Sequence, residues 1–308
     1  MRATIPLFAL VLTGCPTGGD PEPDPTPAPN VCADSLPEGD VRVIATDFDG
    51  GTEGIAFSPD GRMFVTSGDL AVEEVLPDGS HVHIADVPLG VGVAWWGDRL
   101  AVAAFDSGLD NDLGGVWLVD VDAGTSELLA MGIEDANFPA VSPWGTLLVS
   151  DDTGTEDIYE VTEDGDVSVW LSGIPSPNGI GFSADGAWAY VVTTFGNPAP
   201  AWRIPVTDGS AGSPEAMVEW GPGVAPDGLA VGASGAVYSA QNIGGRIDRV
   251  IPGDPHTWET VGEGVTWAAS NAFGLGADWD PCAMYVTSLF GDELYAMGIG
   301  EAAGTLWY

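Results

Sequence analysis

Lysine is absent from this chain of 308 residues, and its seven cationic side chains, all Arg, face 46 Asp and Glu. The formal net charge is −39, yet only 17% of residues are charged, against roughly 25% in an average protein. The imbalance is therefore a shortage of cations. A chain with no basic footprint cannot track a phosphate backbone, which excludes nucleic acid as a partner. What remains is an acidic surface that keeps the chain soluble by self-repulsion and attracts divalent cations. Histidine is nearly missing too: only His81, His83 and His256 occur. His81 and His83 fall on a predicted outer strand and His256 follows Asp254-Pro255 in a loop, so all three are expected at the surface. Long apolar runs are also lacking, and from Val41 onward there is almost no helical periodicity, which excludes a transmembrane helix there.

The amino terminus has an organisation of its own. Arg2 precedes a short apolar segment, Ile5 to Leu12, and Leu12-Thr13-Gly14-Cys15 follows. This pattern resembles the bacterial lipoprotein signal, which implies that residues 1–14 are removed and that Cys15 becomes the lipidated first residue. An ordinary signal peptide with an incidental cysteine is the alternative. Residues 15–40 begin with the Pro-rich, acidic stretch Pro16 to Asn30, which cannot bury a core and reads as a disordered tether. The expected location is the bacterial cell envelope, on the periplasmic or outer-membrane face, with the lipid as the sole membrane contact. Of the three cysteines, Cys32 and Cys282 then remain near the two ends of the folded region. An oxidising compartment favours a bridge between them, two free buried thiols being the alternative.

Residues 41–308 read as short strands joined by tight turns, in keeping with 44 glycines. One frame recurs: a polar side chain, an apolar strand, then a turn glycine. Glu53 precedes Gly61, Asn137 precedes Gly145, Asn178 precedes Gly186 and Asp227 precedes Gly235, always by eight positions. Units start near Glu53, Leu89, Asn137, Asn178, Asp227 and Phe273, and most contain four strands. In the third these are Phe138–Val141, Thr146–Ser150, Asp157–Val161 and Val167–Leu171. Repeats of this length predict an all-β fold, a six-bladed β-propeller with four-stranded blades around a central metal-binding channel. The outer strand of the last blade could come from Thr305–Tyr308 or from Val41–Thr46, the second closing the ring through the two ends.

Residues just before the six innermost strands would ring the channel: Glu53, Leu89, Asn137, Asn178, Asp227 and Phe273. Asn-Gly and Asp-Gly are turn formers, and turn chemistry alone is the plain reading of any one of them. Glu53 is a poor turn residue, however, and Asp227 lies before its strand where Asp60 lies after one. Two carboxylates on a narrow axis repel, and a divalent cation lets both stay ionised. Two carboxylates with two amides and no thiolate or imidazole suit calcium; zinc, manganese and magnesium are the other candidates.

Thr52-Glu53-Gly54-Ile55, Asn137 before Val141-Ser142-Pro143, Pro177-Asn178-Gly179-Ile180 and Pro226-Asp227-Gly228-Leu229 resemble the metal-site motifs of the gluconolactonase, regucalcin and luciferin-regenerating-enzyme superfamily. The resemblance implies that Glu53, Asn137, Asn178 and Asp227 hold a catalytic cation and that Asp227 is also the base or nucleophile. It implies a monomeric, metal-dependent lactonase or esterase-type hydrolase acting on a small-molecule substrate. The alternative is a non-catalytic binding or scaffold propeller with a structural calcium. One departure stands out: Asn137 is followed by Phe138-Pro139, where the lactonases usually carry Asp-Gly. Phe105 to Gly115, Asp151-Asp152 and Thr194 to Trp202 are the loops expected to set selectivity at the channel mouth.

Overall fold

Alternating strands and turn glycines produce six antiparallel sheets in the computed structural model, which describes residues 31–68, 70–105, 114–153 and 155–308. The expected signal peptide, Cys15, the first part of the tether and residues 106–113 of the blade-2 insert lie outside the described residues. Among the described residues there is no helix, hence none long and apolar enough to cross a membrane. Each sheet has four strands, in sequence order from axis to rim in blades 1 to 5, and blade 4 adds a short strand, Ser210–Ala211. The innermost strands are Thr52–Phe57, Gly90–Trp96, Ala136–Val141, Pro177–Phe182, Pro226–Val231 and Ala268–Phe273. Each neighbours the next and the last neighbours the first, so the sheets close into a six-bladed propeller.

Closure uses the early strand. Val41–Ala45 pairs antiparallel with Leu294–Gly298 as the outer strand of blade 6, so this blade is built from both ends of the folded region. A disulfide joins Cys32 to Cys282 with 5.5 Å between their Cα atoms, and Leu36 N–H donates to Asp280 at 2.8 Å beside it. Thr305–Tyr308 instead runs under the far end of the channel, where Trp307 packs against the cores of blades 2 to 4.

Apolar residues face between blades, giving a separate core in each gap rather than one central core. Met63, Val65, Tyr285 and Leu294 fill the gap between blades 6 and 1, and Val116, Leu118, Leu147 and Val149 that between blades 2 and 3. Tryptophans bolt neighbouring blades together through turn glycines, two of which, Gly61 and Gly145, define the repeat. Trp96 Nε1 donates to the Gly145 carbonyl at 2.9 Å, Trp279 to Gly61 at 2.9 Å and Trp170 to Gly209 at 2.8 Å. An indole buries about 150–250 Å2, and its hydrogen bond adds about 1 kcal/mol.

The structure corrects the expected register in two blades. The innermost strand of blade 6 is Ala268–Phe273, so Phe273 ends that strand rather than preceding it, and Ala269 takes the ring position. In blade 2 the ring position is Val91, and Leu89 sits just outside the strand. Both slips come from turns whose length departs from the other blades: Trp96 and Arg99 pair directly across a tight turn, while residues 274–282 form a long one. The histidines also differ from expectation. His83 is exposed, but His81 stacks on Phe48 and bonds Glu73, and His256 accepts from Gly253 N–H, so both are partly buried.

Candidate active site

A repeated irregularity aims the ring residues at the axis. In every innermost strand the pairing with the second strand shifts around the ring residue: Pro226 faces Gln241, but the next pair is Leu229 with Ser239. The same shift spans Glu53, Val91, Asn137, Asn178 and Ala269. Such a bulge leaves a backbone amide without its ladder partner and re-aims one side chain. Hydroxyls on the second strand satisfy that amide: Thr66 accepts from Gly54 N–H at 2.8 Å, Ser150 from Phe138 at 3.0 Å and Thr287 from Ser270 at 2.8 Å.

The residue entering the strand is left-handed in four blades, with φ of 48° at Leu89, 46° at Ser176, 47° at Ala225 and 53° at Trp267. None is glycine, so each stores roughly 1–2 kcal/mol of backbone strain at the channel mouth. The glycine after the ring residue serves a different purpose. A Cβ on Gly179 would lie 2.6 Å from the Asp227 carbonyl oxygen, and one on Gly228 2.6 Å from Ser270 Cα. Glu-Gly, Asn-Gly and Asp-Gly are thus not turns here; the glycine lets adjacent blades touch near the axis.

Glu53, Asn137, Asn178 and Asp227 all line one cavity of about 390 Å3 at this end of the channel. Asn137, Asn178 and Asp227 are buried, and Glu53 is partly so. Asn242 Nδ2 donates to Asp227 Oδ2 at 3.2 Å, and the Asn178 side chain donates to Asp227 as well. Asn178 Oδ1 is buried without a hydrogen-bond partner. Burial pushes the Asp227 carboxyl well above the usual range, and the charges of Glu53 and then Asp152 add to the rise, against the two amide donors. Burial first, then Asp152, raises Glu53 to about 8. Burial likewise raises Asp152 to about 6, although Ser176 Oγ donates to it at 2.7 Å. Among the described residues no group of three or more His, Cys, Asp or Glu is placed to hold a metal. A cation here would therefore draw on the amide oxygens as well as on the carboxylates.

A model of the SMP-30/Gluconolactonase/LRE-like region matches residues 72–290. The chain belongs to this family. A 6-deoxy-6-sulfogluconolactonase of Pseudomonas putida is 32% identical over 187 residues, covering 56% of this chain and 62% of that protein. A pentonolactonase of Haloferax volcanii is 30% identical over 165 residues, covering 51% and 54%. The chain thus spans little more than half the length of these curated relatives. Among solved structures, a calcium-binding protein, regucalcin, from Agrobacterium tumefaciens superposes with a TM-score of 0.71 at 23% identity, covering 87% of this chain and 96% of that one. A luciferin-regenerating enzyme gives 0.70 at 17%, covering 87% and 98%. At these identities the superpositions speak for the propeller fold alone.

For this gluconolactonase-family chain, the sequence missed a second ring. The residue after each second strand also reaches the mouth: Phe105, Asp152, Thr194, Asn242 and Leu289 line the same cavity, and Gly68 lines a neighbouring one. Phe105, Asp152 and Thr194 lay in loops expected at the mouth, whereas Asn242, the partner of Asp227, did not. Its only signal was its spacing, fifteen positions beyond Asp227, as Asp152 stands beyond Asn137. Asp135, Ile243, Trp267 and Phe290 were missed as well.

Proposed function

We propose that this chain is a metal-dependent hydrolase of a lactone or related ester, with a divalent cation, calcium foremost, held by Glu53, Asn137, Asn178 and Asp227. Asn178 Oδ1 carries the reading: a buried acceptor with no donor, set beside two mutually repelling carboxylates, fits a hard cation. When bound, such an ion supplies polarisation of the ester carbonyl and stabilisation of the charge that develops on its oxygen. Asp227 takes a proton from the attacking water. Asn242 fixes the orientation of its carboxylate, and a bound cation would keep that carboxylate ionised and so able to accept the proton. The water oxygen bonds to the acyl carbon, the ring C–O bond breaks, and the proton passes to the departing alkoxide, leaving a hydroxy acid. Glu53 balances the cation's charge, and Asn137 and Asn178 orient carbonyl and ion.

Lactonase names among the relatives support the reaction class, and exposed residues at the cavity mouth favour an accessible, catalytic ion over an enclosed structural one. The amino-terminal pattern supports export, lipidation at Cys15 and tethering of a monomeric propeller to the cell envelope. Cys15→Ser is then expected to move the protein from the membrane to the soluble fraction. The central test is hydrolysis of a lactone and aryl-ester panel by the full chain, with calcium and with EGTA. Turnover that needs the cation and is lost in Asp227→Ala, with an unchanged circular dichroism spectrum, is the expected result. Full activity in Asp227→Ala would remove the assignment.

A further inference from the structure

The wall of the cavity contrasts with its floor. Phe195, Ile243 and Phe290 line it with 66, 59 and 70% of their surface exposed. Trp267 lines it too, edge-on to Phe290 with ring centroids 5.3 Å apart. They come from blades 4, 5 and 6, one after another around the mouth, whereas the acidic Asp135 and Asp152 lie on the blade-3 side. Single exposed apolar residues need no explanation, but neighbours sharing one wall above buried polar groups form a binding surface. A second cavity, about 610 Å3, shares Glu53, Phe105, Leu289 and Phe290 with the first and is lined further by Leu70, Leu89 and Asp49. The apolar wall thus continues past the carboxylates and gives room for an extended substituent.

Charge points the same way. Among the described residues no arginine or histidine lines either cavity. Arg62, Arg99, Arg203, Arg246 and Arg249 are each paired with a carboxylate elsewhere. Residues 106–113 hold no basic side chain either. Beyond the proposed ion, whose charge Glu53 and Asp227 already balance, a sulfonate or phosphate on a substrate would meet carboxylates and aromatic rings with no side-chain cation to pair it.

We infer that the substrate is an uncharged lactone or ester bearing an alkyl or aryl group, its acyl carbon over Asp227 and its apolar body against Trp267, Phe290 and Phe195. This rests on the hydrolase reading above. The test compares six-membered lactones at fixed calcium with the full chain: δ-valerolactone, δ-octalactone, δ-decalactone, gluconolactone and 6-phosphogluconolactone. Each added methylene is expected to raise kcat/KM roughly fourfold until the wall is covered. Decalactone should exceed gluconolactone at least tenfold, with the phosphorylated lactone slowest. Phe290→Ser and Phe195→Ser should flatten this series through KM. A preference for gluconolactone or its phosphate, a flat series in the wild type, or an unchanged series in both variants would overturn the inference while leaving a lactonase. No turnover of any lactone, with decalactone still binding in calorimetry and that binding weakened in Phe290→Ser, would sink the hydrolase reading but support the ligand class. Neither turnover nor binding would overturn both.

Discussion

Glu53→Gln in cation-free protein tests the electrostatics of the ring most directly. The Glu53 carboxyl, ordinarily at 4.5, is pushed up to about 8 by burial and then by the charge of Asp152. A raised folded pKa means that the native state keeps a proton the unfolded chain has released. The stability is therefore intact below 4.5 and declines as pH rises towards 8. At about 1.4 kcal/mol per pH unit, roughly 3 kcal/mol has gone by pH 7. Gln has the same shape and no charge, so in EGTA the variant should be more stable than wild type by up to about 3 kcal/mol at pH 7 and equal to it at pH 4. For a domain of this size that is a Tm difference of about 6 °C or more. Calcium should reverse the order: at a hundred times its Kd it would stabilise wild type by about 2.7 kcal/mol, and the variant, lacking a ligand, by less. Thermal melts followed by circular dichroism at both pH values, with EGTA and with calcium, decide the matter. A variant no more stable than wild type at pH 7 in EGTA, or one that gains as much from calcium, would refute the reasoning.

Three other outcomes follow from the same geometry. Asn178→Ala removes the unpartnered oxygen and should weaken calcium binding at least tenfold by calorimetry, with little loss of cation-free stability because a buried unmet acceptor leaves with it. Asp152→Asn should stabilise the cation-free protein by about 3 kcal/mol above pH 6 and not at all below pH 4, since burial raises this carboxyl from 3.8 to about 6; melts across that range check it. Replacing Cys32 and Cys282 together by Ser opens a link across a sequence separation of 250. It should cost about 5 kcal/mol on the chain-entropy account, read as a fall in Tm of about 10 °C.

Much of the site was legible because residue type and repeat coincide. Glu53, Asn137, Asn178 and Asp227 each stand a fixed distance before a turn glycine, and a repeated turn makes a repeated direction. Blades 2 and 6 escaped because their turns differ in length, which moves the ring position to Val91 and Ala269, side chains without a chemical signature. The second ring escaped for a related reason. Phe105, Asp152, Thr194, Asn242 and Leu289 share no chemistry, and only the common end of the second strand makes them equivalent.

By itself the order of residues determined the strands, the six-fold repeat and four of the oxygen donors, because these depend on local alternation and turn chemistry. The tertiary structure alone decided which end supplies the closing strand and how the bulges aim the ring. It also gathered an aromatic wall from three blades over the buried carboxylates. Those features depend on distances between segments far apart in the chain, which only the closing of the ring brings together.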